Sequence, residues 1–256
     1  MVSGLPLRGR EAGQGSLRSK TRSTHQTSKQ YRRRRGSLTR AVISLVVVTA
    51  TAVAVLLVAE ARAWPRVAGL AKGVASSAFV AAAIAGHATA TPYGRALLAA
   101  LALSWIGDLL LLSREERTFL AGLGAFLAAH VAYAVAFVLW GIAGTATLVA
   151  LLPLVAFALF VAVWLLPHVD ETMRLPVVVY MVALSTMVAL AAGAAWAGGS
   201  WLLLGAAVAF LLSDLSVARD RFVAPSVLNQ IWGLPLYYAA QLAFASTAAL
   251  AIARSR

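Results

Sequence analysis

The sequence has no cysteine. Disulfides, thiolate nucleophiles and Cys-ligated zinc are therefore excluded. Charge is nearly as scarce: Asp, Glu, Lys and Arg make up 12% of the 256 residues, where a soluble domain carries about 25%. Acids number nine and histidines four. A chain this poor in charge and 61% hydrophobic is neither disordered nor a soluble enzyme over its bulk. A Gly-rich phosphate loop, a G-x-S-x-G elbow and an H-E-x-x-H helix are all missing. What remains is an integral membrane protein, with a mean hydropathy of +0.82.

The charge that is present is unevenly placed. Residues 1–40 hold 11 of the 22 Lys and Arg but only one acid, Glu11. This segment is rich in Gly, Ser, Thr, Gln and Arg without periodicity, so it reads as a disordered basic tail. A basic tail can bind nucleic acid, but beside an apolar helix it more simply marks the cytoplasmic face and meets anionic lipid. No nucleic acid is expected. The stretch 41–59 then runs nineteen residues without a charge, longer than the roughly 7–15 residues of a signal-peptide core, and reads as a first transmembrane helix.

Seven further apolar stretches are near the ~20 residues that cross a bilayer: 66–85, 95–112, 119–140, 145–166, 175–197, 200–218 and 228–252. The division at Gly198-Gly199 has apolar residues on both sides. A single helix over 172–218 would need about 70 Å, more than twice the hydrocarbon core. The expected architecture is thus an all-α bundle of eight transmembrane helices over 41–256, multi-pass in the cell membrane. Both termini should be cytoplasmic, although Arg62, Arg66, Arg114, Arg117, Arg174, Arg219 and Arg221 fall in outer loops, so the tail decides orientation almost alone. A short echo between 103–108 and 209–214, each ending in Ser-x-x-Gly-Asp or Ser-Asp, hints at two parallel four-helix repeats.

Ionisable groups inside a membrane are expensive and need a reason. Asp108 lies four residues before the expected end of helix 3, and Asp214 four before that of helix 7. At 1.5 Å per residue both carboxyls sit about 6 Å below one membrane face. At that depth they could work as an acid–base pair, one protonated and one ionised. Alternatively, each pairs with a loop arginine, Arg114 or Arg117 for the first and Arg219 or Arg221 for the second. Lys72, about six residues into helix 2, either snorkels to the surface or faces inward toward a carboxylate or a substrate phosphate; Ser76 shares its face. His130 and Tyr133 share a face of helix 4, Tyr237 and Gln241 a face of helix 8 just after Pro235, and Tyr180 lies in helix 6. Each could serve as a helix–helix hydrogen bond, or all could line one cavity by the carboxyls. A zinc ion on His130 and the two aspartates is the metal alternative; no metal or cofactor is expected.

These residues carry a resemblance. Ser104-x-x-Gly107-Asp108 is followed by Phe119-x-x-Gly122-Leu123-x-x-Phe126-x-x-x-His130-x-x-Tyr133, then by Arg174-x-Pro176-Val177-x-x-Tyr180. Gly205-Ala206-x-x-x-Phe210-x-x-Ser213-Asp214-x-x-x-Ala218-x-x-Arg221-Phe222 and Tyr237-Tyr238-x-Ala240-Gln241 complete the set. In this order, over roughly residues 67–250, the chain resembles the lysoplasmalogenase (YhhN-like) family of eight-helix membrane proteins. Lys72 resembles a family lysine, but Gly73 stands where proline is expected.

The resemblance implies hydrolysis of the vinyl-ether bond of a lysolipid to a fatty aldehyde and a glycerophospho-base, with Asp108 and Asp214 as the catalytic pair. Tyr133, Tyr180, Tyr237, His130 or Gln241 would line the substrate site and position water, and Lys72 or Arg221 would meet the phosphate. The runner-up is a lipid or small-solute transporter with the aspartates coupled to protons or ions. Substrate headgroup and oligomeric state are not legible in the sequence.

Overall fold

A computed structural model describes residues 40–113 and 115–254. The expectations for the tail before Arg40, and for Arg114, lie outside the described residues. Eight helices are long and apolar enough to cross a membrane, and the described residues contain no strand. They are α1 (Arg40–Ala61), α2 (Pro65–Ala85), α3 (Pro92–Leu110), α4 (Glu116–Trp140), α5 (Gly144–Leu165), α6 (Glu171–Trp196), α7 (Trp201–Ala218) and α8 (Val227–Arg254). The chain is an all-α integral membrane protein.

Local chemistry sets the boundaries. Pro65 and Pro92 open α2 and α3 at positions where a missing N–H is harmless, and Thr91 caps α3 by accepting from Gly94 N. The expected division at Gly198-Gly199 holds. Gly198 has φ +81°, a region open to glycine, and Ser200 then caps α7 by accepting from Leu202 N. Three helices start earlier than expected: α3 at Pro92, α4 at Glu116 and α6 at Glu171. Apolar runs mark the hydrocarbon region, whereas helices continue outward until a cap or proline stops them. Arg117 and Arg174 are therefore first-turn helical residues and not loop residues. Likewise α7 does not end cleanly at Ala218; a π-helical turn, Arg219–Val223, extends it.

The main core draws on α1 to α4 and α6 to α8. Its most extensive neighbours are α3 with α4 and α7 with α8. Lipid is as apolar as a leucine side chain, so these helices associate through close packing and hydrogen bonds. Two glycines allow close approaches beside the carboxylates' helices. A methyl group on Gly107 would meet the Phe126 ring, 2.6 Å from its nearest carbon, and one on Gly233 would collide with Ser216. By contrast α5 is mostly lipid-facing, with only 11% of its span buried; it packs along α6 in a smaller cluster around Val161, Leu165 and Met173. Trp64 and Trp201 are exposed at helix starts.

Candidate active site

Helices α2, α3 and α8 build the surroundings of Asp108. Lys72 and Ser76, one turn apart on α2, both point to it: Lys72 Nζ lies 3.5 Å from Oδ1, and Ser76 Oγ donates to Oδ2 at 2.6 Å. From α8 the Tyr237 hydroxyl donates to the same oxygen at 2.7 Å. Tyr238 adds an outer layer, its hydroxyl 3.1 Å from Ser76 Oγ. The Asp108 side chain is only 3% exposed. Lys72 thus faces inward and forms an ion pair with Asp108 inside the bundle.

Asp214 has a different setting. On α6 the Tyr180 hydroxyl donates to its Oδ2 at 2.7 Å. From α4, His130 Nε2 approaches the same oxygen to 3.5 Å, outside hydrogen-bond range. The two arginines that follow it in the chain point elsewhere: Arg219 donates to Asn229 Oδ1, and Arg221 lies over the Phe119 ring at 4.3 Å. At 14% exposure its side chain is more open than that of Asp108. Arg221 makes its contact with the Phe119 ring, and among the described residues no ion pair joins it to either carboxylate.

The two carboxylates share no hydrogen bond among the described residues. A run of rings connects their surroundings. Tyr237, on Asp108, packs edge-on to Phe210 with centroids 5.5 Å apart, and Phe210 lies 4.9 Å from the His130 ring beside Asp214. Phe126, admitted by Gly107, closes on Tyr237 at 6.0 Å. One layer away, the Tyr133 hydroxyl donates to Gln241 Oε1. Beside that bond, Ser104 Oγ and Gln241 Nε2 are buried without well-formed hydrogen bonds. In a membrane interior such atoms are places where a water or a substrate oxygen would be held.

Of the nine expected site residues, the structure gathers eight: Lys72, Asp108, His130, Tyr133, Tyr180, Asp214, Tyr237 and Gln241. Arg221 is the exception. Reading helix faces missed Tyr238, because it follows Tyr237 and adjacent residues point about 100° apart. The bent π turn lets Asp220 accept from Ser226 N and Asn229 Nδ2, a knot the sequence does not announce. Among the described residues no three His, Asp or Glu side chains are grouped to hold a metal ion. Asp108 faces Lys72 and two hydroxyls, while His130 faces Asp214, so the proposed three-ligand zinc set does not converge.

The YhhN family model matches residues 67–248. This chain belongs to the YhhN family. Two curated relatives, each named lysoplasmalogenase and found in Mycobacterium bovis and Mycobacterium tuberculosis, are 34% identical to it over 174 residues. Each alignment covers 64% of this chain and 64% of the relative, so the chain spans a little under two thirds of their length. No solved structure matches. The family region takes in every gathered side chain, from Lys72 to Gln241, and leaves out α1.

Proposed function

We propose that the protein hydrolyses the vinyl-ether bond of a lysoplasmalogen-type lysolipid. The observation that carries this reading is two intramembrane carboxyls in unlike settings, one held by a cation and two hydroxyls and the other by a single phenol. The names of the mycobacterial relatives supply the substrate class. Residues 41–256 are the catalytic unit, and residues 1–40 a cytoplasmic tail that meets anionic lipid.

The unlike settings divide the roles. Lys72, Ser76 and Tyr237 all stabilise negative charge on Asp108, because an ammonium and donated hydrogen bonds favour the ionised form. Asp108 is therefore the carboxylate. Among the described residues Asp214 pairs with no lysine or arginine; it has a neutral phenol donor and a more open side chain, so it is the acid. Asp214 delivers its proton to the β-carbon of the vinyl ether, and the double bond becomes an oxocarbenium ion. The negative charge of Asp108 stabilises that cation, then removes a proton from water as it adds to the cationic carbon. The division parallels paired carboxylates in glycoside hydrolysis. The hemiacetal breaks into aldehyde and alcohol, with one water consumed. Tyr237 and Gln241, adjacent on α8, position the water; Tyr180 orients the Asp214 carboxyl.

Purified protein in detergent, incubated with a 1-alkenyl lysophospholipid, should release fatty aldehyde. An ester lysolipid should release none. A transporter would yield no aldehyde from either, and that result would overturn the reading.

A further inference from the structure

The seam between α4 and α6 carries two open grooves on the lipid-facing side. One, about 340 Å³, lies toward the Glu116 end of α4 and stops at Tyr180. The other, about 420 Å³, starts at His130 and runs toward Trp140. The two helices run in the same direction here, so the grooves lie above and below the level where the His130 and Tyr180 rings meet edge-on at 5.0 Å. That level is also the level of Asp214, which Tyr180 touches directly.

The deeper groove is walled by Val131, Ala134, Val138 and Leu139 of α4 and by Ala183 and Thr186 of α6. Its polar lining below His130 is the Thr186 hydroxyl, which is already engaged, donating to Val182 O at 2.8 Å. From His130 to Leu139 the wall extends about 13 Å along the helix axis. An occupant therefore meets hydrocarbon along its length and a titratable cluster at one end. Its volume is near the lower end for small-molecule sites, and Val131, Val138 and Leu139 are exposed to the bilayer.

We propose that this groove holds the single hydrocarbon chain of the lysolipid, which enters sideways from the bilayer and is stopped with its first polar bond at Asp214. The inference rests on the lysolipid-hydrolase reading and adds to it a chain site. The groove is continuous with the carboxyl cluster through His130. Ala134 and Ala183 set its width. Each is half-buried on the groove wall, so a larger side chain there fills the groove without entering the core.

Two measurements on the full chain separate this inference from the activity it rests on. First, Ala134→Trp and Ala183→Trp should lower kcat/KM for a hexadecenyl lysolipid by roughly tenfold or more, as contacts of several methylenes are lost, while a butenyl analogue changes by less than about twofold. Equal losses on both substrates, or no loss on the long one, would overturn the chain site. Second, a saturated ester lysophosphatidylcholine with a mid-chain diazirine reports binding whether or not any bond is cleaved. In nanodiscs its adducts should concentrate on residues 131–139 and 183–190, fall with unlabelled lysolipid, and fall in Ala183→Trp. Adducts spread evenly onto α5 would refute the site. Aldehyde release with scattered adducts removes the chain site alone. Concentrated adducts without aldehyde release remove the hydrolase and leave the chain site standing.

Discussion

At the scale of single residues, the role of each aspartate follows from what surrounds it. Asp108 sits against Lys72, Ser76 and Tyr237, and Asp214 against Tyr180 and the His130 ring. Asp108→Asn and Asp214→Asn should each lose about 10²–10⁴-fold in turnover, the usual worth of a general acid or base. The double variant should lose little more than the worse single one, since groups working as a unit are not additive. The wild-type pH profile of kcat/KM should be bell-shaped, as a base and an acid working together require. A base must be ionised, so the rise on the acid side belongs to Asp108 and should disappear in Asp108→Asn. An acid must hold its proton, so the alkaline fall belongs to Asp214 and should disappear in Asp214→Asn. The reverse pattern in the residual activities would exchange the two roles. Tyr180→Phe removes the phenol that orients Asp214. A hydrogen bond between neutral groups is worth ~0.5–1.5 kcal/mol, so kcat should fall about 2–10-fold, with less effect on KM. The sequence already pointed to these residues, because an ionisable side chain in an apolar run stands out wherever it lies. Their partners were harder to read: Lys72 reaches Asp108 across 36 positions of chain, and no spacing rule connects α2 to the end of α3.

At the scale of elements, close helix packing aims the side chains. Gly107 lets the Phe126 ring of α4 lie against α3, and Phe126 in turn packs on Tyr237, the donor to Asp108. Gly107→Ala places a methyl in the space of that ring. Overpacking of this kind costs about 1–3 kcal/mol, and here the displaced ring pushes toward Tyr237. Thermal unfolding in detergent should shift downward and activity per folded molecule should fall with it. Gly73→Ala is the matched control, since its added methyl meets nothing within 4 Å; it should leave both unchanged. The turn between α7 and α8 gives a different outcome. Buried Asn229 accepts from Arg219 and donates to Asp220 and to Ala224 O. Asn229→Ala strands those groups at about 1–3 kcal/mol, so stability should drop while turnover per folded molecule is kept. Helix number and order were legible because each span is a charge-poor run of the right length, and the Gly198-Gly199 break was legible because a continuous helix there is too long for a bilayer. Helix starts were not, since α4 and α6 continue past their apolar runs into Glu116 and Glu171. The π turn at Arg219–Val223 was not either, because it depends on the contacts of Asp220 and Asn229 across a bend.

At the scale of the whole molecule, eight spans put the Lys72 end of α2, the Asp108 end of α3, the Tyr180 half of α6 and the Asp214 end of α7 on one side of the bilayer. Contacts between them fit that arrangement: Lys72 lies early in α2 and Asp108 late in α3, as antiparallel neighbours require. Which side faces outward is a separate matter, decided by lysine and arginine near the helix ends. Here the charges conflict. Arg62, Arg66, Arg117, Arg174, Arg219 and Arg221 cluster on the active-site side, so the loops alone would draw that side into the cytoplasm. Against them stand Arg32 to Arg35 and Arg40 immediately before α1, within the ~15–20 residues that count most. The absence of cysteine makes the competition measurable. Single cysteines at Glu115 and Pro225, both exposed in the turns beside the site, and at Thr89, exposed in the opposite turn, can be labelled with an impermeant maleimide on intact cells. In the wild type the first two should react and Thr89 should be protected. Deleting residues 2–30 keeps all five arginines and should leave both labelling and turnover as they were. In that deletion, replacing Arg32 to Arg35 with asparagine leaves Arg40 alone against the arginines of the active-site side, and should produce a population in which Thr89 becomes reactive. Reaction at only one of Glu115 and Pro225 would mean an odd number of crossings between them, which would place the two aspartates at opposite faces and end the argument for a joint site. Unchanged labelling after the arginine replacement would show that the helices themselves, and not the tail, fix the orientation.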